Sequence, residues 1–61
     1  MKRNSYVTTY SIDGVKHVKE HSTQDEANKF RAQLGMTREA TDTTTTVYEV
    51  NGGVYTARAR Y

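Results

Sequence analysis

Apolar and polar residues alternate with a period of two at both ends of this chain, and a helical period takes over in the middle. Residues 5–12 (SYVTTYSI) are rich in β-branched and aromatic types, which suit a pleated, half-buried surface. Asp13-Gly14 follows, a pair suited to a two-residue type I′ turn because both positions of that turn need positive φ. Residues 15–21 (VKHVKEH) return as a second strand. With Ile12 opposite Val15, one face carries Tyr6, Thr8, Tyr10, Ile12, Val15, His17, Lys19 and His21. The other carries Val7, Thr9, Ser11, Lys16, Val18 and Glu20. Tyr6, Tyr10, Ile12 and Val15 make the first face the expected core side, although Val18 sits opposite them, where a bulge or a longer turn would bring it round.

The middle segment, STQDEANKFRAQLG, changes period. Thr23 with Glu26 three residues on is a capping box, in which the hydroxyl takes a free backbone N–H and the carboxylate reaches back. Asp25 and Glu26 fall in the first turn, where the helix dipole favours negative charge. Ala27, Phe30 and Leu34 form a narrow apolar stripe, and Asp25 and Lys29 are i,i+4 partners. Gly35 stands where a left-handed C-terminal cap belongs. The pattern predicts a helix over residues 24–34. Residues 36–45 (MTREATDTTT) read as a polar, sequence-biased loop, with room for one helical turn over 37–40 and a drift into strand at its end.

The tail, VYEVNGGVYTARARY, reads as a hairpin on an Asn51-Gly52-Gly53 turn. Uninterrupted pairing puts Thr46, Tyr48, Val50, Tyr55, Ala57, Ala59 and Tyr61 on one face, the expected core side. It puts Thr45, Val47, Glu49, Val54, Thr56, Arg58 and Arg60 on the other. The sum is an α+β fold, β-β-α-β-β: one four-stranded antiparallel sheet with a single helix packed on one face. One helix cannot cover both faces, so the other is expected to stay open, presenting Val7, Thr9, Lys16, Val47, Val54, Thr56, Arg58 and Arg60.

Size and charge narrow the functional classes. Sixty-one residues make one small domain (1–61), with residues 1–4 as a short arm, and a chain this short buries only about 60% of its unfolded surface. There is no Cys, hence no disulfide and no thiolate metal site. The formal charge of +2 favours anionic partners mildly. No apolar run approaches the roughly 20 residues of a membrane span, and no hydrophobic stretch follows Met1-Lys2-Arg3-Asn4, so the expected location is cytoplasmic, without a membrane partner.

The chemistry-bearing residues point away from catalysis. His17 and His21 are four apart, which on a strand separates them by about 13 Å, too far to share one metal ion. Ser5, Ser11 and Ser22 lack a nucleophile elbow, and no carboxylates are paired for acid–base work. Gly52-Gly53 is not followed by a helix, so no phosphate loop forms. No enzyme activity, cofactor or small-molecule substrate is expected. Arg58 and Arg60, two apart on a strand, are expected to point the same way about 6.6 Å apart. With Thr56 and Lys16 they would form a flat basic strip, and Lys2 and Arg3 would add phosphate contacts. The tyrosines could stack unpaired bases, but most fall on the expected core face.

Residues 6–34 also resemble the front part of the AP2-like DNA-binding domains of tyrosine integrases, through Asp13-Gly14, the basic strand Lys16 to Lys19, and Thr23-Gln24-Asp25-Glu26-Ala27. In those domains the sheet face meets the DNA groove. This chain departs from them in lacking the strand before the hairpin, in having a second hairpin after the helix, and in carrying His21 where an aromatic often stands. The expectation is a small non-enzymatic binding module that meets nucleic acid through Arg58, Arg60, Thr56, Lys16, Lys2 and Arg3. The competing expectation is a phage- or mobile-element-type regulator that docks on a larger protein by an edge strand or the open face, or a homodimer that buries those faces.

Overall fold

A computed structural model describes residues 2–37 and 39–61. The elements are β1 (Lys2–Ile12), β2 (Val15–His21), α1 (Gln24–Thr37), β3 (Ala40–Asn51) and β4 (Val54–Arg60). The four strands form one antiparallel sheet in the order β2-β1-β3-β4, with the single helix inserted between β2 and β3 in sequence. The expected β-β-α-β-β architecture is therefore the observed one. Both long strands, β1 and β3, lie in the centre, and β2 and β4 form the edges. The result is a slab, 37 × 22 × 15 Å, with a radius of gyration of 12.1 Å. A compact chain of this length would have about 10.5 Å.

The first hairpin follows the sequence pattern. Asp13 (φ 52°) and Gly14 (φ 78°) both adopt positive φ, as a type I′ turn requires, and Ile12 pairs with Val15. Thr8 lies opposite Thr45 and Tyr6 opposite Val47 on β3. The helix covers this side of the sheet. Its Phe30 ring packs against Tyr10 at 5.5 Å and His21 at 5.0 Å, while Ala27 is fully buried. Arg31 donates to the Thr45 hydroxyl at 2.9 Å and to the Tyr61 carbonyl at 3.1 Å, and its guanidinium lies 5.1 Å from the Tyr61 ring centre. Tyr61 in turn donates to Asn28 Oδ1 at 3.1 Å.

Three segments differ from expectation. The helix continues past Gly35 to Thr37, whose hydroxyl donates to the Leu34 carbonyl at 2.8 Å. Gly35 is thus a helical residue rather than a cap. The polar segment 36–45 is not a loop: β3 begins at Ala40, because the threonines pair along β1 and their β-branched side chains favour the extended backbone. Arg38, within the expected turn over 37–40, lies outside the described residues. Lys2 to Asn4 belong to β1, paired with Glu49 to Asn51, rather than forming an arm.

Two bulges shape the sheet. Between Thr9 and Ser11 of β1, β3 carries one extra residue, and Asp42 there has φ 54°. In β4 the extra residue is Arg58: Val47 pairs with Ala59, but Tyr48 pairs with Ala57. Because side chains alternate with a period of two, this insertion reverses the sidedness of β4 on either side of it. Ala59 and Tyr61 face the helix, as expected. Thr46, Tyr48 and Val50 do not, because pairing with β1 places them on the opposite face, and Tyr55 and Ala57 go with them; Val47, Val54 and Thr56 lie on the helix side.

Apolar burial is sparse. Only Ala27 and Val50 are buried hydrophobic residues among those described, and the largest fully buried side chains are Thr8, Thr45 and Ser5. The Thr8 and Thr45 hydroxyls bond each other at 2.9 Å under the helix. Among the described residues no helix is long and apolar enough to cross a membrane.

Two substitutions test this packing. A Cβ at Gly35 would meet nothing within 4 Å, so Gly35→Ala is expected to raise unfolding free energy by about 0.5–1 kcal/mol in a denaturant titration. His21 is buried with Nε2 unpartnered among the described residues. His21→Phe keeps the ring against Phe30 and removes that atom, and should stabilise by about 1 kcal/mol; a loss of stability would show that Nε2 has a partner.

Candidate functional site

The face opposite the helix carries two distinct regions. Its strand register places Arg3, Ser5, Val7, Thr9 and Ser11 of β1 beside Glu20, Val18 and Lys16 of β2 on one flank. On the other flank stand Thr44, Thr46, Tyr48 and Val50 of β3, then Arg60, Ala57 and Tyr55 of β4. One row across the whole sheet reads Glu20, Val7, Thr46, Arg60.

At the end where the second hairpin turns, this face has a small core of its own. Tyr55 reaches from β4 across the sheet, so that its hydroxyl accepts from Arg3 Nη2 at 3.2 Å and donates to Glu20 Oε2 at 3.2 Å. The Ser5 hydroxyl donates to the same carboxylate oxygen, and Arg3 Nη1 lies 3.9 Å from it. The Arg3 guanidinium also sits 5.8 Å from the Tyr55 ring centre, and Tyr48 meets Tyr55 edge-on at 5.7 Å. Beneath this lid Ser5 is fully buried and Val50 is 4% exposed. The hydrogen bonds from Ser5 and then Tyr55, helped by the nearby Arg3 charge, hold the Glu20 carboxyl below the ordinary glutamate range.

Beyond the lid the face is bare. A shallow groove of about 370 Å³ follows the bulged segment, lined by Thr46, Tyr48, Ala57, Arg58, Ala59 and Arg60. Every residue of β4 is exposed, and so is each residue of β2 except His21.

The six residues expected to share one surface divide between two. Arg60, Lys16 and Arg3 lie on this face. Arg58 and Thr56 lie on the helix side, because the bulge puts Arg58 out of phase with Arg60. There Arg58 pairs with Glu49 at 3.3 Å, and Lys2 approaches the same carboxylate at 3.8 Å. Thr56 pairs with Glu49 across the strands. The strip of two parallel arginines does not exist. What sequence reasoning missed is the tyrosine pair: Tyr48 and Tyr55 share a face with Arg3 and Arg60 rather than with the helix. The signal available was the two small residues flanking Arg58, where a bulge is easily accommodated.

The histidines are engaged separately, His17 stacked on Tyr10 at 5.3 Å and His21 against Phe30. Among the described residues no group of three or more His, Cys, Asp or Glu is placed to hold a metal ion.

No family model, curated protein or solved structure matches this chain. These comparisons lend no support to the local resemblance of residues 6–34 to integrase DNA-binding domains.

The Glu20 network makes a signed prediction. A carboxyl held low in the folded state contributes stability that is present above its unfolded pKa and is lost as pH falls through the folded value. Melting followed by circular dichroism should show stability falling below the ordinary glutamate range, and Glu20→Gln should flatten that part of the acid limb. An unchanged acid limb in the variant would show that the network has no preference for the ionised form.

Proposed function

We propose that this protein is a small, cytoplasmic, non-enzymatic module that binds nucleic acid through the sheet face opposite the helix. The observation that carries this reading is the composition of that face. Arg3, Lys16 and Arg60 stand on it with Glu20 as the opposing carboxylate, and Thr9, Thr44, Thr46 and Ser11 supply hydroxyl groups between them. Arginines and lysine meet phosphates, and hydroxyls and peptide groups add neutral hydrogen bonds to the backbone. With few charges involved, affinity depends on direct contacts and falls with salt. The bare region adjoins half-exposed tyrosine rings, which gives bases a surface to lie on. The acidic groups Asp25 and Glu26 sit away from it, on the helix.

A second reading has its own supporting observation. β4 is a fully exposed edge of seven residues, and such an edge is a template for an added strand from a larger protein. The same edge carries Arg58, Arg60 and a bulge, which are devices that discourage edge pairing. For that reason the regulator reading, docked by strand addition or by a homodimer of open faces, ranks second.

A band-shift series at low salt tests the first reading. Arg60→Ala and Lys16→Ala are each expected to weaken binding several-fold and to reduce the salt slope by about one phosphate contact. Arg58→Ala, which removes a guanidinium on the helix side, should change binding far less. Binding that resists salt, or an Arg58 effect larger than that of Arg60, would refute this assignment of the interface. Absence of any complex at low salt would remove the nucleic-acid reading altogether.

A further inference from the structure

We infer that the groove beside the β4 bulge is a seat for one unpaired nucleobase, so that this face takes single-stranded rather than duplex nucleic acid. The inference rests on the nucleic-acid reading above and narrows its substrate class.

The sheet is too wide for a duplex groove. Four strands at about 4.8 Å spacing span about 14 Å between the outer axes before side chains are added. The slab measures 22 Å in its second dimension. The major groove of B-form DNA is about 12 Å wide and admits a helix or a two-stranded ribbon. The sheet cannot enter it face-on. A single strand needs no groove and can lie across a four-stranded sheet with its bases on aromatic side chains.

The groove has the shape for a flat ligand. Ala57 is the one small side chain on β4 between Tyr55 and Arg60 on this face, so a space opens there above the sheet. Thr46 and Ala57 lie within it, Tyr48 and Arg60 stand beside it, and the bulged pair Arg58 and Ala59 completes its lining. Tyr48 is braced edge-on by Tyr55, and Tyr55 is held through its hydroxyl by Arg3 and Glu20. The ring beside the groove is therefore positioned before a ligand arrives, which lowers the ordering cost of binding.

The groove's chemistry points the same way. A flat slot beside an aromatic ring suits a planar, polarisable group. A guanidinium at its margin suits an anion attached to that group, and the Thr46 hydroxyl can give or take a hydrogen bond. Base, sugar and phosphate combine these features in one residue of a nucleic acid strand. In a duplex the base faces are already stacked, and reaching one requires unpairing it. Tyrosine stacking accepts any base, so little sequence preference is expected. The bulge brings Ala57 and Arg60 to the face on which Tyr48 stands, while Arg58 lines the groove with its guanidinium paired to Glu49.

The test is fluorescence anisotropy of the whole chain at low salt. The probes are labelled oligo(dT), oligo(U), a duplex of equal length and an abasic strand of the same charge. Oligo(dT) and oligo(U) should both bind, at least about tenfold tighter than the duplex or the abasic strand, because stacking is missing from the latter two. Ala57→Leu fills the groove at an exposed position without removing a contact. It is expected to weaken single-strand binding by about 5- to 50-fold while leaving the melting curve and the weak duplex binding unchanged. Tyr48→Phe retains the ring and should bind as the native chain does. Equal affinity for duplex or abasic strand, or native affinity in Ala57→Leu, would overturn the base seat and leave the broader reading standing. Failure of every probe to bind would sink both.

Discussion

One inserted residue, Arg58, sets the sidedness of this molecule. A strand alternates its side chains strictly, so a single extra residue exchanges the two faces beyond it. In β4 that exchange happens between Ala57 and Ala59. Towards the end of the chain, Ala59 and Tyr61 turn to the helix, where Arg31 and Asn28 hold Tyr61. Towards the hairpin turn, Tyr55 and Ala57 turn the other way, where Arg3, Glu20 and Tyr48 meet Tyr55. Without the insertion Tyr61 would stay on the face of Tyr55, opposite the helix, and would lose Arg31 and Asn28. The bulge lets a thin sheet anchor one tyrosine on each face, Tyr55 of β4 on one and Tyr61 at its end on the other.

This arrangement explains how a chain with so little apolar material holds together. Beneath the helix, the centre of the sheet is a pair of threonine hydroxyls bonded to each other, with Arg31 completing the set. On the opposite face Ser5 and Glu20 anchor the tyrosine lid. Buried polar groups that are paired in this way cost little, whereas an unpaired one costs about 1–3 kcal/mol. Specific hydrogen bonds thus decide the packing where hydrophobic volume is short. Exposed ion pairs such as Asp25 with Lys29 contribute at most a few tenths of a kcal/mol on a helix surface. The charge pairs matter more for where cations end up: Glu49 holds Arg58 and Lys2 on the helix side, leaving Arg60 and Lys16 on the face proposed to bind.

The proposed binding surface follows from the same economy of parts. A single helix leaves one face largely uncovered. Threonine, serine and basic side chains stand on it with Val7 and the exposed Val18, and the aromatic rings gather at one end. A flat, hydroxyl-rich surface with a few cations and a preorganised ring fits a flexible anionic polymer better than it fits a rigid groove.

Element identity was legible in the residues themselves. Asp13-Gly14 dictates its turn because only such a pair takes two positive φ values easily, and Ile12 against Val15 then sets the register of the first hairpin. Thr23 caps the helix by accepting from the Glu26 amide at 3.2 Å, a contact between near neighbours that needs no tertiary help. Tertiary structure alone decided three matters: the strand order, the strand character of the threonine run, and the side on which each residue of β4 lies. All three depend on pairing between segments far apart in the chain. Thr44 to Thr46 become strand because Val7 to Thr9 lie alongside, and Arg58 becomes the extra residue because Ala57 and Ala59 are claimed by different partners on β3. Alternation read along one strand shows which residues share a face only while the pairing stays regular, and the neighbour that breaks the regularity is not local.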